Sequence, residues 1–260
     1  MRAVQFLEEL RLLTGRSVRV MLREPWAIVP NLAISLFFLF VYNGGLSGIA
    51  EIPAFRGASY LSFILPVALV SGSVGGAGAA GQALIRDLES RYFTKLRLTP
   101  ASRTALVAAP MIAGMLQLVV QTVLILAVAV AMGLKVPGGV PAAAGVVLLA
   151  GGWGLGFAGY AVATALRSGS GRTAQAATFV FFPLLFLSDT FVPMALIKAG
   201  WMRVAARINP TTYVFDAMRS LLSSGVQEAE VVRGIVAILA LVAVTLGWAV
   251  YTAQRTLRDA

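Results

Sequence analysis

The sequence predicts an all-α integral membrane protein with six transmembrane helices, an N-terminal amphipathic interfacial helix and an external re-entrant hairpin between helices 5 and 6. Three observations carry that reading. Of the 260 residues, 58% are apolar and only 12% are charged, about half the charge that a soluble domain uses to stay dissolved. Six stretches contain no Asp, Glu, Lys or Arg at all. Lys and Arg outnumber Asp and Glu by 21 to 11, and the basic residues gather between particular stretches, as membrane topology demands.

The first element is a helix over 3–23. Val4, Leu7, Leu10 and Leu13 recur at helical spacing, while Arg16, Arg19 and Arg23 share another face. An amphipathic helix of this kind lies in the interface with its arginines on lipid headgroups; the alternative is a solvated leader before the first span. Five arginines and three glutamates within 1–24 precede any long apolar run, which is unlike a cleaved signal peptide.

The membrane helices come next. The stretches 25–50, 57–85, 104–134, 136–166 and 234–254 are each charge-free for 21 residues or more, enough to cross about 30 Å of hydrocarbon. They place helices at 26–47, 58–84, 104–133, 141–166 and 232–254. The remaining stretch, 173–188, offers only 16 charge-free residues, roughly 24 Å of helix, and gives a short helix at 172–190. Basic residues set the direction. Arg2, Arg11, Arg16, Arg19 and Arg23, then Arg86, Arg91, Lys95, Arg97 and Arg103, then Arg167, Arg172, Arg255 and Arg258 fall on one side, while the short opposite loops hold Arg56 and Lys135. Both termini are therefore expected in the cytoplasm. That requires an even number of crossings and supports counting the short segment as one.

Between the second and third spans lies RDLESRYFTKLRLTPASR, residues 86–103. A helix from about Asp87 to Leu96 puts Leu88, Tyr92 and Leu96 on one stripe, with Thr99-Pro100 stopping it. An apolar stripe in a basic surround suits a docking element; the alternative is a solvated turn. Glycine marks two spans, as Gly72, Gly75, Gly76, Gly78 and Gly81, and as Gly151, Gly152, Gly154, Gly156 and Gly159. At this spacing small residues let helices approach closely. Pro66 is placed to kink the second span, and Ser62, Ser71 and Ser73 are hydroxyls that could meet a passing solute.

Residues 188–224 follow the short span. Pro193 and Asn209-Pro210 punctuate them, and Met194, Ile197, Trp201, Val204 and Ile208 repeat at helical intervals with Lys198, Arg203 and Arg207 off that stripe. Trp201 and Tyr213 suit the aromatic belt of the interface. A helix that stops part-way and a hairpin that dips back into the outer leaflet would account for both features; an ordinary external amphipathic loop is the alternative. Irregular backbone at that depth needs protein or water around it.

Much chemistry is excluded. With no histidine and no cysteine there is no Ser-His-Asp triad, thiol nucleophile, disulfide or imidazole or thiolate metal site. The three lysines, Lys95, Lys135 and Lys198, follow no glycine-rich loop, so a phosphate-binding P-loop is absent. The GSGR at 169–172 has only a GxG spacing inside a short turn. Without intramembrane ionisable groups, ion coupling is disfavoured. Basic residues beside apolar spans face anionic headgroups rather than nucleic acid. What remains is a pathway or scaffold that takes its energy, if any, from a partner.

At two stretches the sequence resembles the permease subunits of ABC-2 type exporters, similar to daunorubicin-resistance-type and polysaccharide or lipid exporters of bacteria. The first is DLESRYFTKLRLTPASRTALVAAPM at 87–111, through Glu89, Leu96, Leu98, Thr99, Pro100, Ser102 and Arg103. The second is 183–222, through Phe186, Leu187, Ser188, Phe191, Pro193, Trp201, Asn209, Pro210, Thr212, Tyr213, Asp216 and Arg219. Asp189 departs from the pattern, where a small residue is commoner.

The resemblance implies a single ABC-2 transmembrane domain over 1–260, two such permeases (a second copy or a homologous one) and two separate cytoplasmic ATPase subunits, which bind the ATP and Mg2+; this chain binds neither. It implies that 87–98 is a coupling helix meeting the ATPase through Asp87, Leu88, Glu89, Tyr92, Phe93, Leu96, Leu98 and Pro100. A translocation path between the permeases would be lined by Ser62, Ser71, Ser73, Phe179 and Phe182, and the hairpin would be carried by Ser188, Asp189, Pro193, Trp201, Asn209 and Pro210. Efflux of a drug, lipid or glycolipid across the bacterial cytoplasmic membrane follows. The alternatives are a nucleotide-independent channel or scaffold and a secondary carrier.

Overall fold

A computed structural model describes residues 2–23, 26, 28–46, 48, 59–89, 103–191, 193–223 and 226–256. Among them are eleven α-helices and no strand. Helix α1 (Arg2–Arg23) is the expected amphipathic helix. The first span is α2 (Val29–Leu46). The second is two helices in line, α3 (Tyr60–Ser71) and α4 (Ser73–Glu89), divided at Gly72. Then come α5 (Arg103–Ala131) and α6 (Gly139–Ser168), the short α7 (Gly171–Ala177) and α8 (Phe181–Phe186) with one 3-10 turn between them, α9 (Gly200–Ile208), α10 (Pro210–Leu222) and α11 (Glu228–Thr256).

Among the described residues five helices are long and apolar enough to cross a membrane: α2, α3 with α4, α5, α6 and α11. The fifth expected span is a chain of short pieces, seven, three and six residues long, ending at Phe186 rather than at 190. The second span also differs from expectation. Its helix does not stop near 84 but continues to Glu89, because neither proline nor glycine occurs between Gln82 and Thr99; a charge at Arg86 ends the apolar run without ending the helix.

Helix α6 is the hub, packed against α4, α5, α7, α10 and α11. Its glycines face two ways. A methyl built on Gly151 or Gly154 would come within 3.0 Å of Val119 or Leu118 on α5, and one on Gly152 or Gly156 within 2.8 Å of Ile238 or Leu241 on α11. At Gly76 and Gly114 the backbones of α4 and α5 themselves meet, each Cβ position lying 3.2 and 3.0 Å from the other's carbonyl oxygen. The glycine spacing in both spans thus serves close helix contact. Aromatic rings fill the remaining centre: Trp153 stacks on Phe157 at 5.8 Å, and Phe181 meets both edge-on.

The GSGR turn joins α6 to α7. Gly169 adopts the left-handed conformation (φ 63°) that ends α6, and the Ser170 hydroxyl accepts from Thr173 N to start α7. At the other extreme, α2 buries only Ser35 and Leu39 and presents Phe37, Phe40 and Val41 outward.

Gly156→Leu should therefore overpack the α6–α11 contact and destabilise the protein by about 1–3 kcal/mol. Gly247→Ala, where nothing lies within 4 Å, should be neutral or better. Thermal unfolding in detergent checks both; equal midpoints for the two variants would refute the close-contact role.

Candidate functional site

Three regions hold the residues to which the sequence assigns function. The first is the end of the bundle that carries Arg86, Arg167, Arg172 and Arg255, called here the basic end. Asp87, Leu88 and Glu89 form the last turn of α4 rather than the start of a separate helix. The Arg16 guanidinium donates to both Asp87 carboxylate oxygens, Nη1 at 2.9 Å and Nη2 at 2.5 Å, a bidentate pairing that fixes α1 against α4. Arg16, expected on headgroups, thus serves the protein's own packing. Leu88, half-buried, packs on Ile85, Ala165 and Ala174. Glu89 is exposed. Tyr92, Phe93, Leu96, Leu98 and Pro100 lie outside the described residues.

The second region is at mid-depth. Ser71 shares a 2.8 Å hydrogen bond with Ser35 of α2, and the Ser35 hydroxyl accepts from Gln121 Nε2 at 2.8 Å; the same amide nitrogen also donates to Asn31 O. Ser73 is buried and accepts from Trp153 Nε1 at 3.2 Å. Both serines are thus turned into the chain and engaged there. Ser62 donates to Ser59 O in the first turn of α3. Phe179 is exposed and Phe182 half-buried, their rings stacked at 5.8 Å. The glutamines are the polar residues that a search for charges passes over. Gln117 and Gln121 are buried on α5, and Gln82 donates to Gln175 at 3.1 Å between α4 and α7.

The third region is where α8 stops. A helix end leaves carbonyls without partners, a heavy cost where water is scarce. Here side chains supply the donors. Asn209 Nδ2 donates to Leu184 O at 2.6 Å and Leu187 O at 3.2 Å, and its Oδ1 accepts from Thr211 N, which caps α10. The Ser188 and Thr190 hydroxyls both donate to Leu185 O at 2.7 Å. Pro210 follows at the first position of α10, where a missing N–H costs nothing. Pro193 precedes one 3-10 turn, Met194–Leu196. On α9, Trp201, Val204 and Ile208 point outward as an apolar edge and only Ala206 is buried.

Arg219 closes this region. Its guanidinium carries five N–H groups and each finds an acceptor: Nε donates to Phe63 O on α3, Nη1 to Asp189 Oδ2 at 2.7 Å and Asp216 Oδ1 at 3.3 Å, and Nη2 to the carbonyls of Asp189 and Thr190. The Phe63 ring lies 3.7 Å below it, a cation–π contact. Asp189, the departure from the family pattern, is thereby the closest counter-charge of a nearly buried arginine. Burial, with the Asp189 carboxylate beside it, pushes Asp216 up to about 7, against the lowering effect of Arg219.

Removing one partner of a buried pair costs about 3–5 kcal/mol, so Arg219→Ala should lower stability by that order. Arg219→Lys should fail to restore it, since three donors on an ammonium cannot serve five acceptors. An Arg219→Lys protein as stable as the unmodified one would refute the five-acceptor role. The raised Asp216 pKa has a definite sign. The folded chain keeps a proton that the unfolded chain gives up near 3.8, so the stability present at lower pH is lost as pH rises toward about 7. Melting at about pH 5 and about pH 8 should show this loss, and Asp216→Asn should flatten it.

A comparison with curated proteins finds no match. A family model described as ABC-2 type transporter matches residues 8–223, a region that takes in most of α1, the clamp at Asp87, the hub α6 and the whole of the capped helix end. The chain is a multi-pass membrane protein and belongs to the ABC-2 type transporter family.

Proposed function

We propose that this chain is the permease of an ATP-driven exporter that moves an amphipathic drug, lipid or glycolipid out of a bacterial cell across the cytoplasmic membrane. The basic end faces the cytoplasm, with both termini there, and two separate ATPase subunits engage it and supply the ATP and Mg2+. The single observation that supports this most is the Arg16–Asp87 clamp. Residues 90–102 follow α4 in the sequence, so a force applied to them would reach α1 through an ion pair. It reaches α6 through Leu88 and the small residues of α4. The chain has no phosphate-binding loop, which fits a permease that borrows its energy.

In this reading Tyr92, Phe93, Leu96, Leu98 and Pro100 meet the ATPase, with Glu89 at the edge, and Asp87 and Leu88 transmit the movement inward. The path runs between this chain and a second permease. Phe179, Phe182 and Ser62 are the residues assigned to it that are not wholly buried. Ser71 and Ser73 instead hold α2 and α6 to α3 and α4. The outward edge of α9, with Trp201, lies at the external interface.

Coexpression with a cytosolic ABC ATPase from the same genome tests the proposal. A stable complex with substrate-stimulated hydrolysis is expected, and Tyr92→Ala with Leu96→Ala should cut capture of the ATPase by about tenfold or more. Arg16→Ala should leave capture intact while lowering stimulation several-fold. No complex with the unmodified chain would favour a channel, scaffold or secondary carrier, and full stimulation in the double variant would overturn the coupling assignment.

A further inference from the structure

Helix α1 lies along α5 and is joined to α4 at Arg16–Asp87, which leaves a wedge between α1 and α4. Two adjoining hollows occupy it. The outer one, of about 260 Å3, is bordered by Arg16, Arg86 and Asp87; the inner one, of about 80 Å3, runs inward past Ala79 and Ala83 of α4 and Ala113 of α5 to Gln117. Ser17, Val20, Ala83 and Arg86 border both.

We propose that this wedge holds one anionic phospholipid of the leaflet at the basic end, its headgroup on Arg86 and the upper part of an acyl chain in the slot. Charge decides the headgroup. Arg16 and Asp87 neutralise each other, and among the described residues Arg86 has no ion-pair or hydrogen-bond partner. Arg86 therefore brings an unengaged positive charge to the mouth, the kind of charge that attracts an anionic headgroup. A zwitterionic lipid would bring its own cation to that charge.

The slot decides the rest. Between the polar groups at its two ends, Arg86 with Ser17 at the mouth and Gln117 at the floor, methyl groups and glycine backbone of α4 and α5 line it, a surface that suits an acyl chain. A peptide there would bury backbone N–H and C=O groups without partners, whereas an acyl chain brings none. This site does not depend on the exporter reading, since it is argued from residues of this one chain.

Native mass spectrometry of the full chain in mild detergent, reloaded with phosphatidylglycerol or phosphatidylcholine, tests the proposal. One phosphatidylglycerol should stay bound under activation that strips phosphatidylcholine. Arg86→Gln should reduce its retention by about tenfold, the order expected for one charge-assisted contact. Ala83→Phe should do the same by filling the slot without altering charge. Arg172→Gln, at the basic end but outside the wedge, should retain the lipid. Unchanged retention in either Arg86→Gln or Ala83→Phe overturns the site, as does an equal loss in Arg86→Gln and Arg172→Gln.

Discussion

Close approach to one helix governs this fold. In lipid, apolar side chains gain little by leaving their surroundings, since the solvent is itself apolar, so helices hold together through shape and contact. Helix α6 meets that requirement by having almost no side chains where α5 and α11 cross it, at Gly151 and Gly154 on one flank and Gly152 and Gly156 on another. Leu118, Ile238 and Leu241 fill the space a side chain would have taken. Everything else is arranged around that hub: α4 reaches α5 at Gly76, and α8 inserts Phe181 against Trp153 and Phe157.

Backbone polar groups set the second constraint. A helix that stops at Phe186 exposes carbonyls, and the chain answers with a local set of donors, Ser188 and Thr190, and a distant one, Asn209. Arg219 then ties this helix end to α3 through Phe63 O and to α10 on which it sits. The irregular segment is therefore built into the bundle and not attached to its surface. Buried arginine is expensive unless all its donors are served, which explains why so many acceptors converge on one residue.

The sequence exposes the parts of this structure whose causes are local. Freedom from charge over 21 residues or more reveals five crossings, and four-residue glycine spacing on α6 reveals a contact face. Helix ends are less legible. The boundary placed near 84 followed the first charge, whereas α4 obeys propensity and runs to Glu89. Least legible are the polar links. Arg16 and Asp87 are 71 positions apart, Arg219 and Phe63 are 156 apart, and no local pattern joins them. Asp189 stood out only as an exception until its partner, 30 residues later, supplied the reason. Gln117 and Gln121 did carry a signal, two amides one turn apart inside an apolar span, which a census of charges overlooks.

Mechanical stiffness is consequently uneven across the molecule. Displacing α6 means separating interlocked surfaces on several sides, and displacing α8 means stripping its last carbonyls of the donors that serve them. Helix α2 is different: it buries two residues and is fastened at mid-depth by the Ser35, Asn31, Ser71 and Gln121 hydrogen bonds. Such bonds between membrane helices are worth about 0.6 kcal/mol each on average, comparable to thermal energy. Bonds of that size hold loosely, so α2, the least buried of the five long apolar helices, is the least securely held of them.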